Sequence, residues 1–158
     1  MSDNLEFAKL RLEEIVSFFG INITVAAETT DDGIELRIDN TPASPRLIGH
    51  RGETLRALEY LINQIVKAHD GTSPRVLVDI AGYKEARRQA LEELAREVAG
   101  RVTDSGAEEE LKPMNPADRR IVHMALREIE GVATLSRGDG HDRRIVVVPA
   151  EAAEPRAE

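Results

Sequence analysis

Apolar residues recur along this chain with two periods. From residue 3 to 19, Leu5, Ala8, Leu12, Ile15, Val16 and Phe19 fall three or four apart, the spacing of one helix face. Gly20 ends that run. Over 21–28, Ile21, Ile23 and Val25 alternate with polar residues; 34–39 alternates again, and the turn-forming TTDDG lies between, so 21–39 predicts a hairpin. NTPASP (40–45) reads as a loop, since two prolines oppose a helix there. Leu55, Leu58, Leu61, Ile62, Ile65 and Val66 then form a helical stripe to about His69. DGTSP (70–74) is a turn and RVLVDIA (75–81) a strand. The first part is thus ordered α-β-β-α-α-β, with a glycine-bounded stretch joining a short helical turn to a long helix.

The second part follows from a boundary near residue 82. Residues 83–102 predict a long helix, 103–110 an acidic, flexible connection, and LKPM (111–114) a short strand. Residues 115–131 predict a helix opened by a cap and Pro116 and closed by Gly131. Residues 132–149 read as two strands about a glycine turn, and 150–158 as a disordered tail. The class is α+β.

Composition narrows the function. The chain has 158 residues, 41% of them apolar, which suits one or two small domains. It has no cysteine, so thiolate chemistry and disulfides are excluded. The acidic start MSDNLEFAKLRLEEIV is unlike a signal peptide, and no apolar run approaches the ~18 residues of a membrane span. The expectation is a cytoplasmic protein without membrane insertion. The net charge of −8 argues against a polyanionic partner until its distribution is followed. Residues 1–41 carry nine acidic against three basic groups, whereas 42–80 are net +1 and 112–149 net +2. Charge acts locally, because screening limits its reach to about 8–10 Å.

The first positive segment holds RLIGHRGETLRALEYL. Gly49 and Gly52 enclose His50 and Arg51, with Arg46 and Arg56 nearby. A glycine loop feeding a helix N-terminus presents unpaired N–H groups and the positive end of the helix dipole, so it suits phosphate. Two glycines in a turn between helices also have a purely structural explanation. In its α-β-β-α-α-β setting, the motif resembles a type II KH domain, over roughly residues 3–81. The resemblance implies that Gly49, His50, Arg51 and Gly52 clamp the backbone of single-stranded nucleotides, and that Ile48 helps line an apolar groove.

The second positive segment holds DRRIVHMALREIE. At 100° per residue, Ile121, Val122, Ala125, Leu126 and Ile129 form a core face. Arg119, His123 and Arg127 fall within about 80° of one another beside it, and Arg120 lies just past them. Such a stripe of donors suits phosphate, or is a solvated face paired to Asp118, Glu128 and Glu130. The Arg-xxx-His spacing of Arg119 and His123, with the hairpin that follows, resembles the R-3-H domain, over residues 83–149. That family binds single-stranded nucleic acid. Arg137, Arg143 and Arg144 in or beside the hairpin extend the expected surface.

A KH domain followed directly by an R-3-H domain is similar to the Jag (SpoIIIJ-associated) family. Many of its members carry a further N-terminal domain and charged linker, whereas this chain starts almost at the KH helix. The resemblance implies a single-stranded RNA-binding protein without catalysis, a bacterial post-transcriptional regulator linked to cell-envelope growth and division, with a second small KH-domain protein as a candidate partner. The residues agree on the absence of chemistry. His50, His69, His123 and His141 form no metal-binding spacing, and there is no P-loop and no nucleophile elbow, so neither cofactor nor metal is expected. His69 is expected to cap its helix and His141 to occupy a turn. Two alternatives stand beside RNA binding: a protein–protein adaptor using the acidic N-terminal helix with Phe7, Phe18 and Phe19, and a single-stranded DNA binder using the second domain.

Overall fold

The computed structural model describes residues 2–153. They divide into two units, one ending at Lys84 and the other beginning at Glu85.

The first unit runs α1 (Ser2–Ser17), β1 (Val25–Thr30), β2 (Gly33–Ile38), α2 (Ser44–Ile48), α3 (Glu53–His69) and β3 (Val76–Ile80), the α-β-β-α-α-β order expected from the sequence. β1 pairs antiparallel with β2, and β2 pairs parallel with β3. Ala8, Leu12 and Val16 of α1 and Leu55, Leu58, Ile62 and Val66 of α3 are buried with Val25, Leu36 and Val78 of the sheet. Fully burying a leucine or isoleucine contributes about 1.5–3 kcal/mol, so these two stripes hold both helices on the sheet.

Two expectations fail here for local reasons. The first strand begins at Val25, not at Ile21. A two-residue turn after Thr30 fixes the register, and Ile38, the last residue of β2, lies opposite Val25. Residues 21–24 therefore have no partner strand. NTPASP is not wholly loop, because Ser44 and Pro45 open α2. Proline is tolerated in a first helical turn, where its missing N–H is not needed.

α3 also closes the outer edge of β3. The Asn63 amide accepts from the Val76 N–H at 2.9 Å and donates to the Val76 carbonyl at 2.7 Å. The Glu59 carboxylate accepts from the Val78 N–H at 2.9 Å. The side chains thus stand in for a neighbouring strand.

The second unit is built from α4 (Tyr83–Ser105), whose first two residues belong to the first unit, then β4 (Glu109–Glu110), α5 (Pro116–Arg127), β5 (Val132–Arg137), β6 (Arg144–Pro149) and α6 (Ala150–Ala153). The strands form an antiparallel sheet in the order β4-β6-β5. Its core joins Leu91, Ala95, Val98 and Val102 of α4 to Val122 and Leu126 of α5 and Ile145 and Val147 of β6. Asn115 caps α5, its side chain accepting from the Asp118 N–H at 3.0 Å.

The sequence reading is corrected at four places. α4 continues to Ser105, so the connection is shorter than expected. The strand in that region is Glu109–Glu110, not LKPM, whose ends instead donate from Leu111 to the Ile145 carbonyl and from Met114 to the Arg143 carbonyl. α5 stops at Arg127, with a turn to Gly131. Ala150–Ala153 form a helical turn, and the rest of the expected tail lies outside the described residues.

Candidate nucleic-acid interface

The glycine loop joins α2 to α3 through a tight turn at His50–Gly52. Three of its four residues have left-handed backbone: Gly49 at φ 72°, Arg51 at φ 49° and Gly52 at φ 77°. Gly49 has no room for a side chain, since a Cβ there would lie 2.9 Å from the Thr54 backbone nitrogen. At Gly52 a Cβ would lie 2.7 Å from the Tyr83 ring, which packs against this unit's core. Tyr83 is therefore a wall for the loop that sequence reasoning did not identify. Arg51, a non-glycine residue in a costly conformation, is held in part by Arg56, which donates to its carbonyl at 3.0 Å.

The exposed side of the loop carries His50, with Arg46 and Arg56 exposed on the helices before and after it. Gly52 caps α3 with no side-chain bond to the helix N-terminus, and Glu53 follows as the first helical residue. That carboxylate favours the helix dipole, but it also competes with any incoming phosphate. Ile48 is half-buried against the core. The groove beside α2, about 390 Å³, is instead lined by Ile21, Ile23, Ala43 and Arg46.

Two other sequence-selected groups prove structural. Phe7 stacks on His69 with ring centroids 4.0 Å apart, and the Arg11 guanidinium lies over Phe7. Phe18 and Phe19 are exposed.

In the second unit, Arg119, Arg120 and His123 of α5 line one groove of about 290 Å³, with Pro116 beside them and Thr134, Ser136 and Ile145 from the sheet. The His123 Nδ1 lies 2.6 Å from the Thr134 hydroxyl. That bond fixes the ring and leaves Nε2 for a ligand, much as a supporting hydrogen bond orients a metal-bound histidine. Arg119 donates to the Met114 carbonyl at 2.6 Å, which fixes its guanidinium at the groove. Asp118, one of the carboxylates that would neutralise this stripe on the alternative reading of a solvated face, is buried instead and pairs with Arg87 of α4 at 2.9 Å. The groove thus keeps its positive charge.

The other cations do not join the groove. Arg127 is exposed on α5 outside it. Arg143 is exposed just before β6. In the β5–β6 ladder, Thr134 lies opposite Val147 and Ser136 opposite Ile145, whereas Arg137 lies opposite Arg144. Strand side chains alternate between faces, so Arg137 and Arg144 stand on the sheet face away from His123. There Arg137 pairs with Glu110 and, at 3.2 Å, with Glu108, and Arg144 pairs with Glu110 at 3.4 Å. Hydrogen bonds that Arg137 donates to Glu110 and then to Glu108 raise its pKa above the ordinary value. The signal for this split was present in the sequence: positions 134 and 137 differ by an odd number.

Residues 89–149 match the model of the R-3-H domain family. Over 137 residues the chain is 31% identical to the RNA-binding protein KhpB of Clostridium symbiosum, covering 86% of this chain and 62% of that protein. It is 30% identical to the KhpB protein of Bacillus subtilis (strain 168) over 147 residues, 92% of this chain and 70% of that protein. A KhpB protein of Streptococcus pneumoniae serotype 2 is 28% identical, and the chain spans 41% of its length. An R-3-H domain with its Arg119 and His123 in one groove, and identity that extends well beyond that domain, place the chain in the Jag family with these KhpB proteins.

Proposed function

We propose that this chain binds single-stranded RNA without catalysis, by contacting phosphate at two places. The observation that carries the reading is the α5–β5 groove, where Arg119, Arg120 and His123 converge and one candidate counter-ion, Asp118, is engaged by Arg87. Phosphate would accept from the guanidinium groups, and His123 would add a contact through Nε2. The first unit would act as a type II KH domain, its Gly49–Gly52 loop approaching the strand backbone closely. The KhpB relatives are RNA-binding proteins by name, which supports RNA as the ligand. Two weak sites on one chain gain affinity through effective concentration. Within the Jag family resemblance, the regulated process is cell-envelope growth and division.

The test is fluorescence anisotropy of a labelled single-stranded RNA across a salt series. His50→Asp/Arg51→Asp and Arg120→Ser/His123→Ala are each expected to weaken binding and flatten the salt slope by about 0.7 per lost phosphate contact. Wild-type protein that binds no RNA overturns the proposal. A second reading, protein–protein adaptor, draws on the exposure of Phe18 (84%) and Phe19 (53%) just past α1. It is favoured if purified protein carries a stoichiometric second protein and no excess absorbance at 260 nm.

A further inference from the structure

Arg137 and Arg144 lie directly opposite each other on β5 and β6. Like charges in that position repel and destabilise a sheet. The repulsion is relieved by Glu110, which pairs with both arginines. Glu110 belongs to β4, on the far side of β6, so Arg137 reaches across the central strand, two strand spacings or about 9.5 Å. Glu108 adds a second carboxylate to Arg137 at 3.2 Å. Two guanidinium groups converging on one carboxylate constitute an anion site. The groups are accessible: the side chains of Arg137, Arg144 and Glu110 are 50%, 33% and 37% exposed.

We infer that Arg137 and Arg144 form a further phosphate site, beyond the two proposed above, on the sheet face opposite the His123 groove, and that Glu110 occupies it in the free protein as an internal substitute for the RNA backbone. This rests on the RNA-binding function proposed above. Exposed ion pairs contribute only about 0–1 kcal/mol each, so a phosphodiester can displace Glu110. The displacement lowers the observed affinity, and removing the carboxylates should reveal the site.

The experiment compares anisotropy titrations of a labelled twelve-nucleotide uridine RNA with wild type, Glu108→Gln/Glu110→Gln, and that double variant with Arg137→Gln/Arg144→Gln added. Circular dichroism checks that all three fold. The glutamine pair is expected to tighten binding about three- to tenfold and to steepen the salt slope by about 0.7–1.4, one or two phosphate contacts. The added arginine changes are expected to abolish both gains. If the glutamine pair changes nothing, Glu110 does not compete with RNA and the inference falls. If the gain survives loss of the arginines, which restores the wild-type net charge, it does not come from these side chains and the inference also falls. If no variant binds RNA, the proposed function itself has failed, which is a distinct result.

Discussion

Gly49→Ala offers a quantitative test of how the loop is built. Its backbone, φ 72° and ψ −175°, is in a region essentially confined to glycine. An added Cβ would overlap the Thr54 hydroxyl and lie 2.8 Å from Thr54 Cβ and 2.9 Å from its backbone nitrogen. The hydroxyl can rotate away, but the nitrogen belongs to the first turn of α3 and cannot move without opening it. Backbone strain costs about 1–3 kcal/mol and overpacking a similar amount, so a loss of about 3 kcal/mol or more is expected. At about 4 °C or more per kcal/mol for a unit this small, Tm should fall by at least about 12 °C. Two other glycines calibrate the effect. Gly20 has φ 72° with nothing within 4 Å of a Cβ, so Gly20→Ala should cost only the left-handed strain, about 1–2 kcal/mol. Gly71 has neither constraint, and Gly71→Ala should be neutral or slightly stabilising. The chain lacks tryptophan, and both its tyrosines, Tyr60 and Tyr83, lie in the first unit, so tyrosine fluorescence during heating reports on that unit. Thr54→Ala in the Gly49→Ala background should recover part of the loss, because it relieves the hydroxyl overlap and not the backbone one. If Gly49→Ala melts within about 2 °C of Gly20→Ala, the steric account of the loop is wrong.

Further outcomes follow from other contacts. Thr134→Val removes the hydrogen-bond partner of His123 Nδ1 and should weaken RNA binding about fivefold, the worth of one hydrogen bond, with the fold unchanged; nitrogen NMR of the imidazole reads the altered tautomer balance. Asp118→Ala leaves Arg87 half-buried without its carboxylate, its own buried Nε already lacking a partner among the described residues, and should destabilise the second unit by about 2–4 kcal/mol in denaturant unfolding. Asp70 is held at a pKa of about 2, below its ordinary 3.8, chiefly by the Asn4 amide and then the Thr72 hydroxyl and N–H. The folded state therefore binds this proton more weakly than the unfolded chain, so the contribution is fully present above about pH 4 and is lost as pH falls towards 2. Asn4→Ala should raise the Asp70 pKa in an NMR titration and move the acid-unfolding midpoint upward.

The apolar periods were enough to recover nearly every element, because burial of one face decides where helices and strands form. Errors arose where a partner strand decides instead. Residues 21–24 alternate as well as 25–28 do, but only the hairpin register, set by Thr30 facing Gly33, excludes them from the ladder. At the candidate sites, residues within one helix turn were legible: Arg119 and His123 meet because their spacing is helical. Contacts between distant segments were not. Thr134 reaches His123 across eleven positions, and Tyr83 packs against Gly52 from thirty-one positions away. The largest revision concerns charge. A count of basic residues over 112–149 treats Arg137 and Arg144 as equivalent to Arg119 and Arg120, although the first pair is matched to Glu110, on a two-residue strand outside that segment. A carboxylate within hydrogen-bond reach neutralises a guanidinium more completely than several charges a Debye length away. The pairing pattern, which only the fold determines, therefore says more about phosphate affinity than either the net charge or the local sum.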